Sequence, residues 1–164
     1  MNVGEILNVQ LLYDILRVST PLILLALAGA ISDRGGVLNI ALEGLLLFGA
    51  FAGVLATGLT RSLVVGVAAA MLAGVLLALV FAWFAIFLRA NLFIVGLATN
   101  SFAAAVTTYA SWLIAGREGQ LRYPNALTLP KIEIPIIRDI GFLSFLSGHT
   151  PLDYLAWLLI PTVS

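Results

Sequence analysis

The sequence predicts an all-α protein, a polytopic transmembrane helix bundle with about four complete spans and one truncated span. Three observations lead to this fold class. Hydrophobic residues make up 62% of the 164 residues and charged residues only 10%, whereas a soluble domain has roughly 25% charged residues. The mean hydropathy is +1.11. The apolar runs approach the ~20 residues that a helix needs to cross a bilayer, and they are much longer than barrel strands.

The four complete spans are predicted at residues 11–31, 37–59, 63–88 and 92–115. Their separators are so short that consecutive spans must be antiparallel neighbours. The first separator contains Gly35 and Gly36. Adjacent glycines allow a sharp turn, and they also suit the interrupted helices that transporters place at substrate sites.

The chain changes character after the fourth span. Residues 116–151 contain four prolines and several charged residues, which predicts an aqueous segment. The single histidine, His149, lies there without a partner at metal-ligand spacing, so a turn position is expected. Residues 152–164 are apolar again, but a helix of this length reaches only about 20 Å, against about 30 Å for the hydrocarbon core. We therefore expect an incomplete span, and the whole chain to be part of one longer transmembrane domain.

No pattern in the chain predicts a catalytic residue, a metal site or an energy source. The sequence contains no cysteine, which excludes disulfides and thiolate metal ligands. It has no P-loop, no nucleophile elbow and no paired-histidine zinc motif. Basic and acidic residues balance at eight each, so net charge indicates no nucleic-acid partner. Membrane lipid is the one partner that composition predicts.

Glu43 is the first functional candidate, because its carboxylate falls within a predicted span. A charge at the bilayer centre costs about 2.5–3.5 kcal/mol on insertion scales. Asn39 lies four residues earlier, so we expect both side chains on one helical face, turned toward the interior of the bundle. They would line or gate a polar path, or they would form a buried structural network beside the glycine pair. The residues alone leave both interpretations open.

The fourth span carries a second polar stripe at helical spacing, formed by Gly96, Asn100, Ala103 or Ala104, Thr107 and Ser111. Asn100 and Thr107 are the second pair of candidates for a solute path. Helix–helix contact uses the same residue types and is the alternative interpretation. In the second span, Gly44, Gly49 and Gly53 are expected to allow close approach of neighbouring helices.

Two stretches of the sequence resemble a known family. Residues 33–44 read DRGGVLNIALEG. This is similar to the pattern ERSGVVNIGLEG of the nucleoside and simple-sugar type permeases of bacterial ABC importers, within the branched-chain amino acid and ribose permease superfamily. Residues 95–100, VGLATN, resemble the later GLALN element of these permeases. The resemblance covers nearly the whole chain and implies the N-terminal half of such a permease subunit.

The resemblance also implies a function and a set of partners. The chain would belong to an importer for nucleosides or related small polar solutes such as simple sugars, in the bacterial inner membrane. Alternating access would be powered by ATP and Mg²⁺ on a separate ATPase subunit, with no cofactor in this chain. A second permease subunit and an extracytoplasmic substrate-binding protein would complete the assembly. The resemblance places residues 116–151 outside the cell, although their basic residues alone would favour the cytoplasm.

Two other functions stay open on the residues alone. A non-transporting membrane scaffold or assembly subunit would use the same polar side chains only to hold helices together. An ion-coupled secondary transporter would need no ATPase subunit, and its uptake would follow an ion gradient.

Overall fold

The computed structural model of the chain describes residues 9–116, 127, 129–132 and 147–163. The five α-helices among these residues are α1 (Val9–Arg34), α2 (Leu42–Thr60), α3 (Leu63–Ala82), α4 (Leu92–Ala115) and α5 (Pro151–Val163). The end of α3 continues as a π-helical turn, Trp83–Phe87. Four helical stretches are long and apolar enough to cross a membrane, at Leu11–Arg34, Leu42–Thr60, Leu63–Phe87 and Leu92–Ile114. The predicted all-α class and the four spans are confirmed.

The boundaries differ from the prediction mainly at the second span, which begins at Leu42 and not at residue 37. The chain forms two compact units, one of Met1–Ala30 with Leu129–Ser164 and one of Ile31–Thr128. The predicted aqueous segment, residues 116–151, lies mostly outside the described residues. The predicted incomplete span corresponds to α5, which has 13 residues.

A tight turn follows α1, and it explains the glycine pair. The backbone N–H of Val37 donates to the carbonyl of Ser32, and that of Gly36 donates to Asp33. This pair of bonds is the Schellman motif that closes many helices. Gly36 has a φ of +76°, in the left-handed region where a side chain would be strained. The glycine pair therefore ends α1 at Arg34 in a turn.

Helices α2 and α3 form an antiparallel hairpin in the Ile31–Thr128 unit. A methyl group at Gly49 would lie 3.2 Å from the Ala70 carbonyl oxygen, and one at Gly53 would lie 3.3 Å from that of Gly66. A methyl group at Gly66 would run into the Thr57 hydroxyl. Small residues thus bring the two backbones together, as they do in many membrane proteins.

The other unit is built around His149, whose side chain is buried, with 1% relative exposure. Its ring stacks on Tyr13 of α1 at 4.4 Å between centroids and meets the edge of Trp157 of α5 at 5.0 Å. The Tyr13 hydroxyl donates to the Gly148 carbonyl over 2.8 Å. His149 also pairs with Ile132 in an antiparallel bridge. It is a packed residue of this unit, next to the bend at Gly148.

Candidate functional site

Asn39 lies in the turn before α2 and is not part of a helix. Its side-chain oxygen accepts a hydrogen bond from the backbone N–H of Ala41 over 3.0 Å. An asparagine that bonds to the backbone two residues ahead stabilises a turn, in competition with helix. The prediction that Asn39 and Glu43 share one helical face is therefore wrong, because the helix begins at Leu42.

Glu43 is the second residue of α2 and is exposed within the chain. The structure thus gives no support for the interior position that the sequence suggested. It also places the carboxylate at the end of a 19-residue span, so the insertion cost of the bilayer centre does not apply. A carboxylate in the first turn of a helix interacts favourably with the helix dipole.

Asn100 of α4 clamps the start of α2. Its side-chain oxygen accepts from the Gly44 N–H over 2.7 Å, and its side-chain nitrogen donates to the Ile40 carbonyl over 2.9 Å. The residue at the N-cap of α2, Ala41, makes no side-chain cap, so the neighbouring helix supplies the acceptor that a capping residue normally provides. Both ends of the Asn100 amide are thereby used.

Two glycines allow this close approach of α2 and α4. A methyl group at Gly44 would lie 2.9 Å from the Cα of Asn100, and one at Gly96 would lie 2.8 Å from the Cβ of Ile40. Both distances are shorter than real side chains tolerate. Gly44, Gly96 and Asn100 therefore form one contact, which we call the α2–α4 clamp.

The predicted stripe on α4 divides into two parts. Gly96 and Asn100 belong to the clamp. Thr107 and Ser111, about two and three turns beyond Asn100, are 5% and 6% exposed. The Thr107 hydroxyl donates to the carbonyl of Ala103 over 2.8 Å. Helix contact explains the first part of the stripe, and the second part borders a groove.

This groove, which we call the α2–α4 groove, has a volume of about 260 Å³. Its α4 wall carries three hydroxyl groups and its α2 wall is apolar; the lining residues are Leu47, Ala50, Phe51, Val54, Thr107, Thr108 and Ser111. Leu47, Ala50 and Val54 follow Glu43 at helical spacing, so Glu43 lies on the same face of α2, one turn before the groove.

Sequence reasoning missed Phe51 and Thr108. Phe51 lies between Gly49 and Gly53, whose spacing predicts helix packing and not a solute contact. The sequence did place Phe51 eight residues after Glu43, two turns further along α2 and near the same face. Thr108 directly follows the predicted residue Thr107. A second threonine in a membrane helix does not by itself indicate a solute contact, because threonine is also common at helix–helix contacts.

A second groove lies between α3 and α4 and is almost wholly apolar. Its volume is about 400 Å³ and its lining includes Leu77, Val80, Phe84 and Phe102. The hydroxyl of Thr99, the one polar side chain of the lining, donates to the Val95 carbonyl over 2.8 Å. This groove offers no polar group to a solute. Within the described ranges, no three His, Cys, Asp or Glu side chains could hold a metal ion.

The helices define a multi-pass membrane protein with a polar groove between two spans, and the comparisons define its family. The chain belongs to the branched-chain amino acid transport system / permease component family, which it matches over residues 11–162. This family and the four spans identify a protein of the cytoplasmic membrane. The resemblance found in the sequence is thereby confirmed. No solved structure matches the chain significantly.

Three relatives give more detail. The guanosine ABC transporter permease protein NupQ of Bacillus subtilis is 34% identical over 98% of this chain and 54% of its own length. The putative glucose ABC transporter permease protein TsgC13 of Haloferax volcanii is 31% identical over 93% of the chain and 46% of its own length. The nucleoside ABC transporter permease protein NupC of Lactococcus lactis is 43% identical over 33% of the chain and 17% of its own length. The chain spans about half the length of the first two.

Proposed function

We propose that the chain is the N-terminal half of one transmembrane permease domain in an ATP-driven importer for nucleosides or related small polar solutes. The observation that carries this proposal is the match to a guanosine permease protein along 98% of the chain. The groove with hydroxyl groups on α4 supports it, because polar solutes need hydrogen-bonding groups inside the membrane. Simple sugars are the alternative solutes, in view of the glucose relative.

The proposed mechanism is alternating access. The permease has one conformation open to the outside and another open to the inside. Ligands that bind one conformation more tightly than the other shift the protein between them. ATP and Mg²⁺ act on a separate ATPase subunit, and this chain has no catalytic role. A second permease subunit and an extracytoplasmic substrate-binding protein complete the assembly.

The test is uptake of radiolabelled nucleosides and of glucose by cells that produce the full-length permease with its ATPase and binding protein. We expect nucleoside uptake that disappears when the P-loop lysine of the ATPase is replaced, because this residue contacts the ATP phosphates. Uptake should persist when a protonophore removes the ion gradient and cellular ATP is maintained. Uptake that follows the gradient would show an ion-coupled transporter instead, and normal assembly without any uptake would show a scaffold.

Glu43→Gln in the full-length protein is expected to lower uptake about tenfold, equivalent to about 1.4 kcal/mol, with membrane insertion unchanged. Glu43 lies one turn before the α2–α4 groove, where a carboxylate can guide a polar solute. The matched control is Asp33→Asn, which removes the same charge from the exposed end of α1. Normal uptake by the Glu43 variant would remove this carboxylate from the mechanism.

A further inference from the structure

The α2–α4 groove has two chemically different walls, and this difference indicates what it binds. One wall, on α4, presents the hydroxyl groups of Thr107, Thr108 and Ser111. The opposite wall, on α2, presents the ring of Phe51 with aliphatic neighbours. A solute that is polar on one side and flat and apolar on the other would satisfy both walls.

Ser111 is the residue that points to a ligand. It is 6% exposed, and it makes no hydrogen bond to any residue that the structure describes. Buried hydroxyl groups almost always have a hydrogen-bond partner, and at membrane depth the need is greater because lipid supplies none. The Ser111 hydroxyl can therefore bond to a polar group that enters the groove it lines.

Phe51 on the facing wall favours a solute with a flat aromatic part. Stacking of a base on an aromatic side chain contributes about 1–3 kcal/mol. A nucleoside combines a flat base with a sugar that carries hydroxyl groups, whereas a simple sugar has no flat aromatic face. The pairing of Phe51 with Ser111 therefore suits a nucleoside better than a hexose.

The size of the groove fits part of such a solute. Pockets for drug-sized ligands have volumes of about 300–1,000 Å³, and this groove has about 260 Å³. The two helices thus supply part of the lining of a pathway, enough to contact part of a nucleoside. Glu43 extends the α2 wall by one turn, so the carboxylate and the groove would lie on one route.

We propose that the α2–α4 groove contacts a nucleoside in transit, with Ser111 and Thr108 bonded to the sugar hydroxyls and Phe51 packed on the base. This inference rests on the proposed function, and it assigns the selection between nucleosides and simple sugars to Phe51 and Ser111.

The first experiment uses thiol labelling, for which the chain is well suited because it has no cysteine. Ser111→Cys is made in the full-length permease, any thiol elsewhere in that protein being replaced, and the assembled importer is treated with a charged thiol reagent. We expect labelling that slows about tenfold when guanosine is present at ten times its dissociation constant, by simple occupancy. Ser101→Cys, on an exposed position of α4 outside the groove, is the control and should show no protection.

Two results would overturn the inference. Absence of labelling at Ser111→Cys would mean that lipid or another helix fills the groove, and labelling without protection would mean that water alone enters it. Because uptake by the same preparation is measured in parallel, these results are distinct from failure of the proposed function, in which the unsubstituted importer moves no nucleoside.

A second experiment compares solutes by uptake. Ser111→Ala should slow uptake of a ribonucleoside about three- to tenfold, the equivalent of one hydrogen bond, but should not slow uptake of a 2′,3′-dideoxynucleoside. Phe51→Ala should slow both, with Phe93→Ala, an exposed phenylalanine of α4, as its control. Equal slowing of both solutes by Ser111→Ala would show a structural role and would contradict the assignment.

Discussion

Gly44→Ala is expected to destabilise the full-length permease by about 1–3 kcal/mol, the usual effect of inserting a methyl group into a tightly packed contact. The added methyl group would lie 2.8 Å from the side-chain oxygen of Asn100, 2.9 Å from its Cα and 3.1 Å from the Thr99 carbonyl oxygen. Two of these atoms belong to the α4 backbone, so a side-chain rotation cannot relieve the contact. Helices α2 and α4 must separate, and both Asn100 hydrogen bonds lengthen.

Gly74→Ala is the matched control for this prediction. Gly74 also lies inside a helix, and a methyl group there would meet no atom within 4 Å. The intrinsic helix preference of alanine over glycine, about 1 kcal/mol, would then raise stability or leave it unchanged. The measurement is thermal unfolding of both variants in the same detergent. Equal melting temperatures for the two variants would contradict the close approach at Gly44.

Asn100→Ala is expected to destabilise the permease by about 1–3 kcal/mol and to slow uptake of every solute by the same factor. The change leaves the Gly44 N–H and the Ile40 carbonyl, two part-buried groups, without their partner, and the loss of two such hydrogen bonds has a cost of about this size. Because the start of α2 carries Glu43 and continues into the groove, its displacement affects transport as a whole.

The control for Asn100 is Asn91→Ala, at the N-cap of α4. The Asn91 side chain accepts from the Phe93 and Ile94 N–H groups, so its loss removes a helix cap, worth about 1 kcal/mol, without touching α2. Measuring uptake of several solutes by the Asn100 variant distinguishes a structural role in the clamp from direct contact with the solute. A change in solute preference with normal thermal stability would return Asn100 to the solute path and refute the clamp.

The spans could be predicted from sequence because length and hydropathy determine them almost alone. All four were found, and the errors lie at their ends. The second span was begun too early because Val37, Leu38 and Ile40 are apolar, and hydropathy does not register the single hydrogen bond by which Asn39 forms a turn. The left-handed conformation of Gly36 is also a local feature, but adjacent glycines are a recognisable sequence signal for it. A turn was one of the two outcomes predicted for this pair.

The candidate site could be predicted only in part. Helical spacing placed Asn100, Thr107 and Ser111 on one face of α4. Helix contact accounts for Asn100, and the role of Thr107 in a solute path stays a prediction. The clamp itself has no sequence signal, because Asn100 and Gly44 are 56 residues apart and nothing local specifies their pairing. Glu43 was predicted too deep in its span for the same reason, since its depth depends on where α2 begins; its role in a solute path stays a prediction.

The α2–α4 clamp has a consequence for biosynthesis. A membrane protein is inserted from its N-terminus as it is translated, at about 5–20 residues per second. Asn100 follows Gly44 by 56 residues, so the first turn of α2 is synthesised several seconds before the acceptor that caps it. During that interval the free N–H groups depend on interfacial water or lipid headgroups, which the location at the end of the span makes accessible. The α2–α3 hairpin can already close through its own glycines, and α4 docks onto it afterwards.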